Sequence, residues 1–114
     1  MAAVNLTHML ITGPLILFIA IANMSKVPIN SAWYKILLVF SAIAISYHMF
    51  LFYKNAKGNY GRYINILHLL LGSLLMFVAV SNLQNSSINE FWYTLMAILG
   101  FGAIGIHMYK LSSA

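Results

Sequence analysis

The chain has 114 residues, of which 62% are hydrophobic and 6% are charged. Because about a quarter of the residues in soluble domains are charged, this composition excludes a soluble globular protein and indicates a membrane protein. Glu90 is the single acidic residue, and there is no cysteine. These two facts exclude a carboxylate pair for glycoside cleavage, a carboxylate cage for Mg²⁺ or Ca²⁺, an iron–sulfur cluster and a thiol nucleophile.

Four apolar stretches follow one another along the chain, at residues 6–24, 33–53, 63–83 and 91–109. Each is close to the ~20 residues that cross a ~30 Å hydrocarbon core. We therefore predict an all-α fold, a four-helix transmembrane bundle that forms a single membrane domain over residues 1–114. The lipid bilayer is its expected partner.

The basic residues are distributed unevenly between the two ends of these helices. Lys26 and Lys35 lie with Glu90 on one side, whereas four others lie on the side of both termini. Since cytoplasmic loops are enriched in lysine and arginine, we predict that both termini are cytoplasmic. Cations that flank lipid indicate attraction to anionic headgroups rather than nucleic-acid binding. The four residues on the predicted cytoplasmic side are Lys54, Lys57, Arg62 and Lys110.

The second half of the chain repeats the first. An offset of 59 superimposes 13 identical residues over positions 13–54, and upstream of Gly13 the offset changes to 60. We predict a tandem-duplicated helix–loop–helix hairpin, with repeat 1 at residues 1–56, repeat 2 at residues 60–114 and a pseudo-twofold axis along the membrane normal. The matched pairs include Asn5 and Asn65, His8 and His68, Gly13 and Gly72, Ile45 and Ile104, and His48 and His107.

Turn-favouring residues predict three local features. Residues 54–62 contain two glycines and predict a linker between the hairpins. Asn30 and Asn89 precede the second helix of each repeat and are predicted to cap it. Pro14 has no counterpart in repeat 2, where Ser73 stands, so we predict a kink in the first helix that the third helix lacks.

Every predicted helix carries one histidine. His8 and His68 lie near the start of their helices, and His48 and His107 lie near the end of theirs. Antiparallel helices place these ends on the same side, so we predict a one-sided layer of four imidazoles. Ionisable groups inside a membrane are rare and costly, which makes this layer the candidate site. Small residues one turn away permit either close helix packing or a flat macrocycle; they are Thr12, Gly13, Ala44, Gly72 and Ala103.

Haem b is the first of three chemistries that fit this layer. Neutral imidazoles on facing helices are common axial ligands of haem, and they require neither cysteine nor an acid from the protein. The repeat predicts an equivalent ligand pair, either His48 with His107 or His8 with His68. The basic residues on the same side are suited to the haem propionates. A single one-sided haem would store electrons, sense redox state or transfer electrons along one membrane surface.

The second chemistry is a divalent transition-metal site for Zn²⁺, Cu²⁺ or Fe²⁺, formed by His8, His48, His68 and His107 together. The lack of carboxylates to hold the imidazoles counts against it. The third is a proton-sensing layer that opens near about pH 6.5, or a transport bundle. The competing class is a non-enzymatic structural or envelope protein that acts through packing, as a homodimer or with a membrane partner. We predict no catalytic residues.

Two segments carry a resemblance to known proteins: HMLITGPLILFIAIAN at residues 8–23 and AWYKILLVFSAIAISYHMFLFYK at residues 32–54. They resemble small histidine-containing helical-hairpin membrane proteins of large DNA viruses of algae and protists. The common features are a His…Gly-Pro-Leu start and a Tyr-His near the end of the second helix. Repeat 2 departs at Ser73 and Ile106, where the proline and the tyrosine are missing. The resemblance implies a virus-encoded membrane protein and assigns no catalytic residue.

Overall fold

A computed structural model describes residues 2–54 and 58–113 of the chain. Within these ranges the chain is helical apart from short connections, and it contains no strand. Each of the four helices is long and apolar enough to cross a membrane, which confirms the all-α prediction and supports a membrane protein. The helices are α1 at Ala2–Met24, α2 at Ser31–Tyr53, α3 at Gly58–Leu83 and α4 at Glu90–Ser112.

Local hydrogen bonds explain where these helices begin and end. Oδ1 of Asn30 and of Asn89 accepts the backbone N–H two residues later at 2.8 Å, so both predicted N-caps are confirmed. At their other ends, α1 and α3 finish with Lys26 and Asn85 in the left-handed conformation, at φ 60° and 57°. The N–H of the following residue donates to the carbonyl five residues earlier at 2.8 Å in both cases, the pattern of a Schellman motif.

The connection between α2 and α3 is shorter than the predicted linker at residues 54–62. Helix α3 begins at Gly58, so Gly58 and Gly61 lie in its first turn rather than in a loop. The first turn of a helix has no intrahelical N–H bonds to weaken, and glycine is therefore tolerated there. Residues 55–57, including the predicted cytoplasmic Lys57, lie outside the described part of the chain.

The helices form two compact units. One combines α1 with α4, and the other combines α2 with α3. We call them the α1/α4 unit and the α2/α3 unit. In the repeat alignment α1 corresponds to α3 and α2 to α4, so each unit contains one helix from each predicted repeat. The repeat boundaries at residues 1–56 and 60–114 stay a prediction.

Equivalent positions are buried in corresponding helices. At most positions, residues 59 apart share the same burial along α1 and α3, and again along α2 and α4. Large apolar side chains elsewhere on the helices are exposed, as expected for helices whose surroundings are hydrocarbon rather than water. The matched buried pairs are Ile16 and Leu75, Ile19 and Val78, Ala20 and Ala79, Ala22 and Ser81, Tyr34 and Tyr93, and Leu37 and Met96.

Helix α1 contains one irregular turn that α3 lacks. Residues His8–Thr12 form a π turn, in which the backbone N–H of Gly13 donates to the carbonyl of His8, five residues earlier. This turn lies directly before Pro14, where the sequence predicts a kink. The corresponding part of α3 is regular α-helix. The π turn also lies where the offset between the repeats changes from 60 to 59.

Candidate functional site: two histidine clusters

In the α2/α3 unit, one polar cluster lies among apolar side chains. His48, near the end of α2, donates its Nδ1–H to Oδ1 of Asn65 on α3 at 3.0 Å. The imidazole of His68, one turn further along α3, stacks on His48 with ring centroids 4.3 Å apart and an interplanar angle of 21°. Asn65 is only 6% exposed. We call these three residues the His48 cluster.

A second hydrogen bond fixes the orientation of His68. Its Nδ1 lies 2.7 Å from the carbonyl oxygen of Ile64, one turn earlier in α3. Because a carbonyl oxygen only accepts, Nδ1 of His68 carries the proton and donates it. Both rings of the cluster are thus held by an oxygen acceptor at Nδ1.

The α1/α4 unit contains an equivalent arrangement. His107, near the end of α4, donates its Nδ1–H to Oδ1 of Asn5 on α1 at 2.7 Å. The ring of His8 lies against His107 with centroids 4.5 Å apart and an interplanar angle of 56°. Asn5, His8 and His107 form what we call the His107 cluster. Each of the four predicted site histidines is therefore in contact with another histidine of its own unit.

The two asparagines are the functional candidates that the sequence analysis did not assign to the site. Asn5 and Asn65 correspond at offset 60, and each lies three residues before the histidine on its own helix. Residues three apart lie on the same helix face, so this spacing could have placed each asparagine beside a histidine. The histidine on the partner helix could not be predicted, because the sequence does not indicate that α1 pairs with α4.

The hydrogen bonds indicate which imidazole nitrogen carries the proton. When Nδ1 of a neutral imidazole carries the proton, the lone pair lies on Nε2. Nδ1 of His48, His68 and His107 each donates to an oxygen. In these three rings Nε2 is therefore the atom that would coordinate a metal or accept a proton. The asparagine oxygens take the orienting role for which the sequence offers no carboxylate.

The geometry limits which metal groups a single unit could hold. Among the described residues, no group of three or more histidine, aspartate and glutamate side chains is placed to hold a metal ion. Two imidazoles that held one haem would need space between them for the flat macrocycle. Rings in contact at 4.3 and 4.5 Å leave no space for a macrocycle between them. Each cluster can therefore offer one axial nitrogen to a given iron, not two.

The predicted ligand pairs follow a different grouping from these contacts. His48 with His107, and His8 with His68, each take one residue from either unit. The structure brings together His8 with His107 and His48 with His68. The single four-imidazole layer and the two ligand pairs stay predictions.

The glycines near the histidines serve close helix packing. A Cβ added at Gly13 would lie 2.5 Å from Cγ1 of Ile104, and one added at Gly72 would lie 2.8 Å from Cγ1 of Ile45. A Cβ added at Gly100 would meet Leu17 at 3.0 Å. Of the two roles predicted for the small residues, close packing is thus the one observed at these glycines.

Comparison with known protein families, with characterised proteins and with solved structures gives no match to this chain. The resemblance to viral hairpin proteins therefore stays a prediction.

Proposed function

We propose that this protein is an integral membrane protein that binds haem b through the imidazoles of the His48 and His107 clusters. The observation that supports this most is the asparagine–histidine hydrogen bond, which occurs in both units at 3.0 and 2.7 Å. Metal-ligating histidines characteristically donate Nδ1–H to an oxygen acceptor, which fixes the ring and makes Nε2 more basic. Both clusters have this arrangement.

The number of imidazoles favours haem over a bare metal ion. Protein zinc sites use three or four side-chain ligands, whereas each cluster contains two histidines in mutual contact. A porphyrin supplies four nitrogens itself, so a single imidazole completes one axial position. Zn²⁺, Cu²⁺ or Fe²⁺ is the second choice of ligand.

Basic side chains near the clusters are suited to the haem propionates. Lys110 follows His107 by three residues on α4, and Lys54 follows the last turn of α2 beyond His48. Nζ of Lys54 lies 5.7 Å from the ring centroid of Phe50. Charge-assisted hydrogen bonds from lysine or arginine to a carboxylate are among the stronger ones, and they would orient a haem toward this end of the helices. Such a haem would store or pass electrons at one membrane surface.

Optical spectroscopy of the protein purified in detergent from haem-replete cells tests this proposal. We expect a Soret band that shifts on reduction with dithionite. His48→Leu and His107→Leu should each weaken or abolish it, because Nε2 of these residues is the proposed axial ligand. Tyr47→Phe is the matched control, since Tyr47 is 56% exposed and phenylalanine keeps the ring that lies 5.3 Å from the His48 imidazole.

If the purified protein is colourless, adding haemin distinguishes a protein that lost its haem during purification from a protein that has no haem site. Saturable binding with a Soret shift that requires His48 would support the proposal. A colourless protein that neither takes up haemin nor contains a transition metal by elemental analysis would overturn both the haem and the metal hypotheses.

A structural membrane component is the second candidate. Within the described part of the chain, no buried polar side-chain atom lacks a hydrogen-bond partner, so the clusters are satisfied without a ligand. In that case the histidines only hold each helix pair together. His48→Leu would then lower the thermal stability of a colourless protein, with no spectral change. Proton sensing, transport and a homodimer stay predictions.

We also propose that the chain arose by tandem duplication of a hairpin. The support is that corresponding residues make corresponding contacts: Asn–His, His–His and Gly–Ile pairs recur in both units. Burial also agrees at most positions along the corresponding helices. Composition alone does not produce such agreement, because any apolar residue would satisfy a membrane helix.

The proposed orientation places both termini in the cytoplasm. Because the chain has no cysteine, single substitutions report accessibility without background. Ser113→Cys should react with a membrane-impermeant maleimide only after the membrane is opened, and Ser86→Cys should react in intact cells. The reverse pattern would overturn this orientation and leave the clusters unaffected.

A further inference from the structure

The spacing between the histidine and the packing glycine differs by one residue between α1 and α3. His68 precedes Gly72 by four residues, whereas His8 precedes Gly13 by five. Both glycines pack against the equivalent isoleucine of the partner helix. The glycine is thus a common reference point, and the extra residue lies between it and the histidine.

A regular helix would not tolerate this extra residue without losing the cluster. Each residue of an α-helix turns the chain by about 100°, so four residues return a side chain to within about 40° of the same face, whereas five leave it about 140° away. A regular α-helix through residues 8–13 would therefore rotate His8 and Asn5 by about 100° from the face that meets His107.

The π turn removes this rotation. Its hydrogen bond spans five residues, from Gly13 N–H to the His8 carbonyl, and so includes the extra residue within one turn. The result is that His8 contacts His107 at 4.5 Å as His68 contacts His48 at 4.3 Å. Asn5 likewise reaches Nδ1 of His107 at 2.7 Å.

We infer that the π turn at His8–Thr12 positions the residues of the His107 cluster. It does so by accommodating the one residue by which the spacing from His8 to Gly13 exceeds the spacing from His68 to Gly72. Pro14 weakens a regular helix here, because it donates no N–H to the carbonyl of Leu10 and its ring crowds that carbonyl. That effect alone does not require the turn to contain one additional residue. The wider turn occurs at the place where it restores the Asn5 and His8 contacts to His107. This inference concerns the apoprotein and does not depend on haem.

Deleting one residue from the π turn tests the inference. Leu10 is the residue to delete, because it lies within the π turn and its side chain is 64% exposed. We expect the deletion to convert the π turn into regular α-helix and to keep His107 Nδ1–H hydrogen-bonded to Asn5. The readout is the ¹⁵N NMR spectrum of the histidine side chains in detergent, where a retained Nδ1–H proton marks the hydrogen-bonded tautomer.

Deletion of Leu70 is the matched control. It removes one residue between His68 and Gly72, where no surplus exists, and should rotate Asn65 and His68 away from His48. We expect the His48 Nδ1–H signal to be lost and thermal stability to fall, while deletion of Leu10 leaves stability equal or higher.

Two results would overturn the inference. One is loss of the His107 Nδ1–H signal, or failure to fold, on deletion of Leu10, because a surplus residue should be dispensable. The other is retention of the His48 signal on deletion of Leu70, because single deletions would then be absorbed wherever they fall.

Discussion

The α1/α4 and α2/α3 units reach the same side-chain arrangement through different backbones. In α3 a regular helix carries His68 to His48, and the rings stack at 21°. In α1 a π turn carries His8 to His107, and the rings are tilted at 56°. What the two units have in common is the Asn–His–His contact, not the geometry of the helix that supplies it. The side-chain contacts of the clusters are therefore retained in both units, whereas the backbone that supports them differs.

The largest difference between the units should appear at the packing glycines. A Cβ at Gly72 would meet the flexible Ile45 side chain, whereas a Cβ at Gly13 would also meet the backbone carbonyl of His8 at 2.8 Å. Backbone atoms in the π turn cannot rotate away. We expect Gly13→Ala to destabilise the protein by about 2–3 kcal/mol and Gly72→Ala by about 1 kcal/mol, within the usual range for overpacking.

Thermal unfolding in detergent measures both variants. Gly102→Ala is the control, because a Cβ there meets nothing within 4 Å and alanine is the better helix former. Equal losses at Gly13 and Gly72 would show that the π turn imposes no extra constraint on α1.

The asparagines should give the next largest effects. Asn65→Leu leaves Nδ1–H of His48 without its acceptor in a site where Asn65 is 6% exposed. We expect a loss of about 1–2 kcal/mol, since hydrogen bonds between membrane helices contribute on this scale. Asn5 is only half-buried, so Asn5→Leu should cost less. Thermal midpoints of the two variants, compared with the conservative Asn65→Gln, check this order. An equal loss at both sites would contradict it.

The helix caps should behave identically in the two units. Asn30 and Asn89 have the same backbone angles and the same 2.8 Å bond. Asn30→Ala and Asn89→Ala should each cost about 1 kcal/mol. The measurement is again the thermal midpoint, with Asn→Ser at each position as the control that keeps a cap. A clear difference between the two alanine variants would indicate that the loops are not equivalent.

The smallest effect should come from the left-handed residue after α1. Lys26 adopts φ 60°, where asparagine stands at the equivalent position 85. A lysine side chain is unfavourable there, whereas glycine is not. Lys26→Gly should stabilise the protein by about 0.5–1 kcal/mol, and Asn85→Gly should change little. Destabilisation by Lys26→Gly would mean that the Lys26 side chain has a role that its backbone conformation does not indicate.

Several features of the fold could be predicted from the sequence because they depend on local chemistry. The length of the apolar stretches predicts the four helices. The positions of Asn30 and Asn89 predict the N-cap hydrogen bonds that both residues make. The histidines could be selected as the candidate site because few polar groups occur in these helices. The correspondence at offsets 59 and 60 also matches the burial of residues such as Ile19 and Val78.

The pairing of helices could not be predicted. In a membrane, every face of a helix is apolar, so hydropathy does not indicate which face meets which neighbour. The repeat predicts a ligand pair, either His48 with His107 or His8 with His68, and this stays a prediction; the contact between His48 and His68 is an additional feature that the structure shows. The π turn was also missed, although the change of offset between His8 and Gly13 was its signature.

Whether the two clusters bind haem is decided by the optical spectrum of the detergent-purified protein, recorded with and without added haemin. We expect a Soret band that shifts on reduction. His48→Leu and His107→Leu should weaken or abolish this band, and Tyr47→Phe should leave it in place. A protein that stays colourless with haemin and contains no transition metal would contradict this expectation. The two clusters would then be devices that hold each helix pair together.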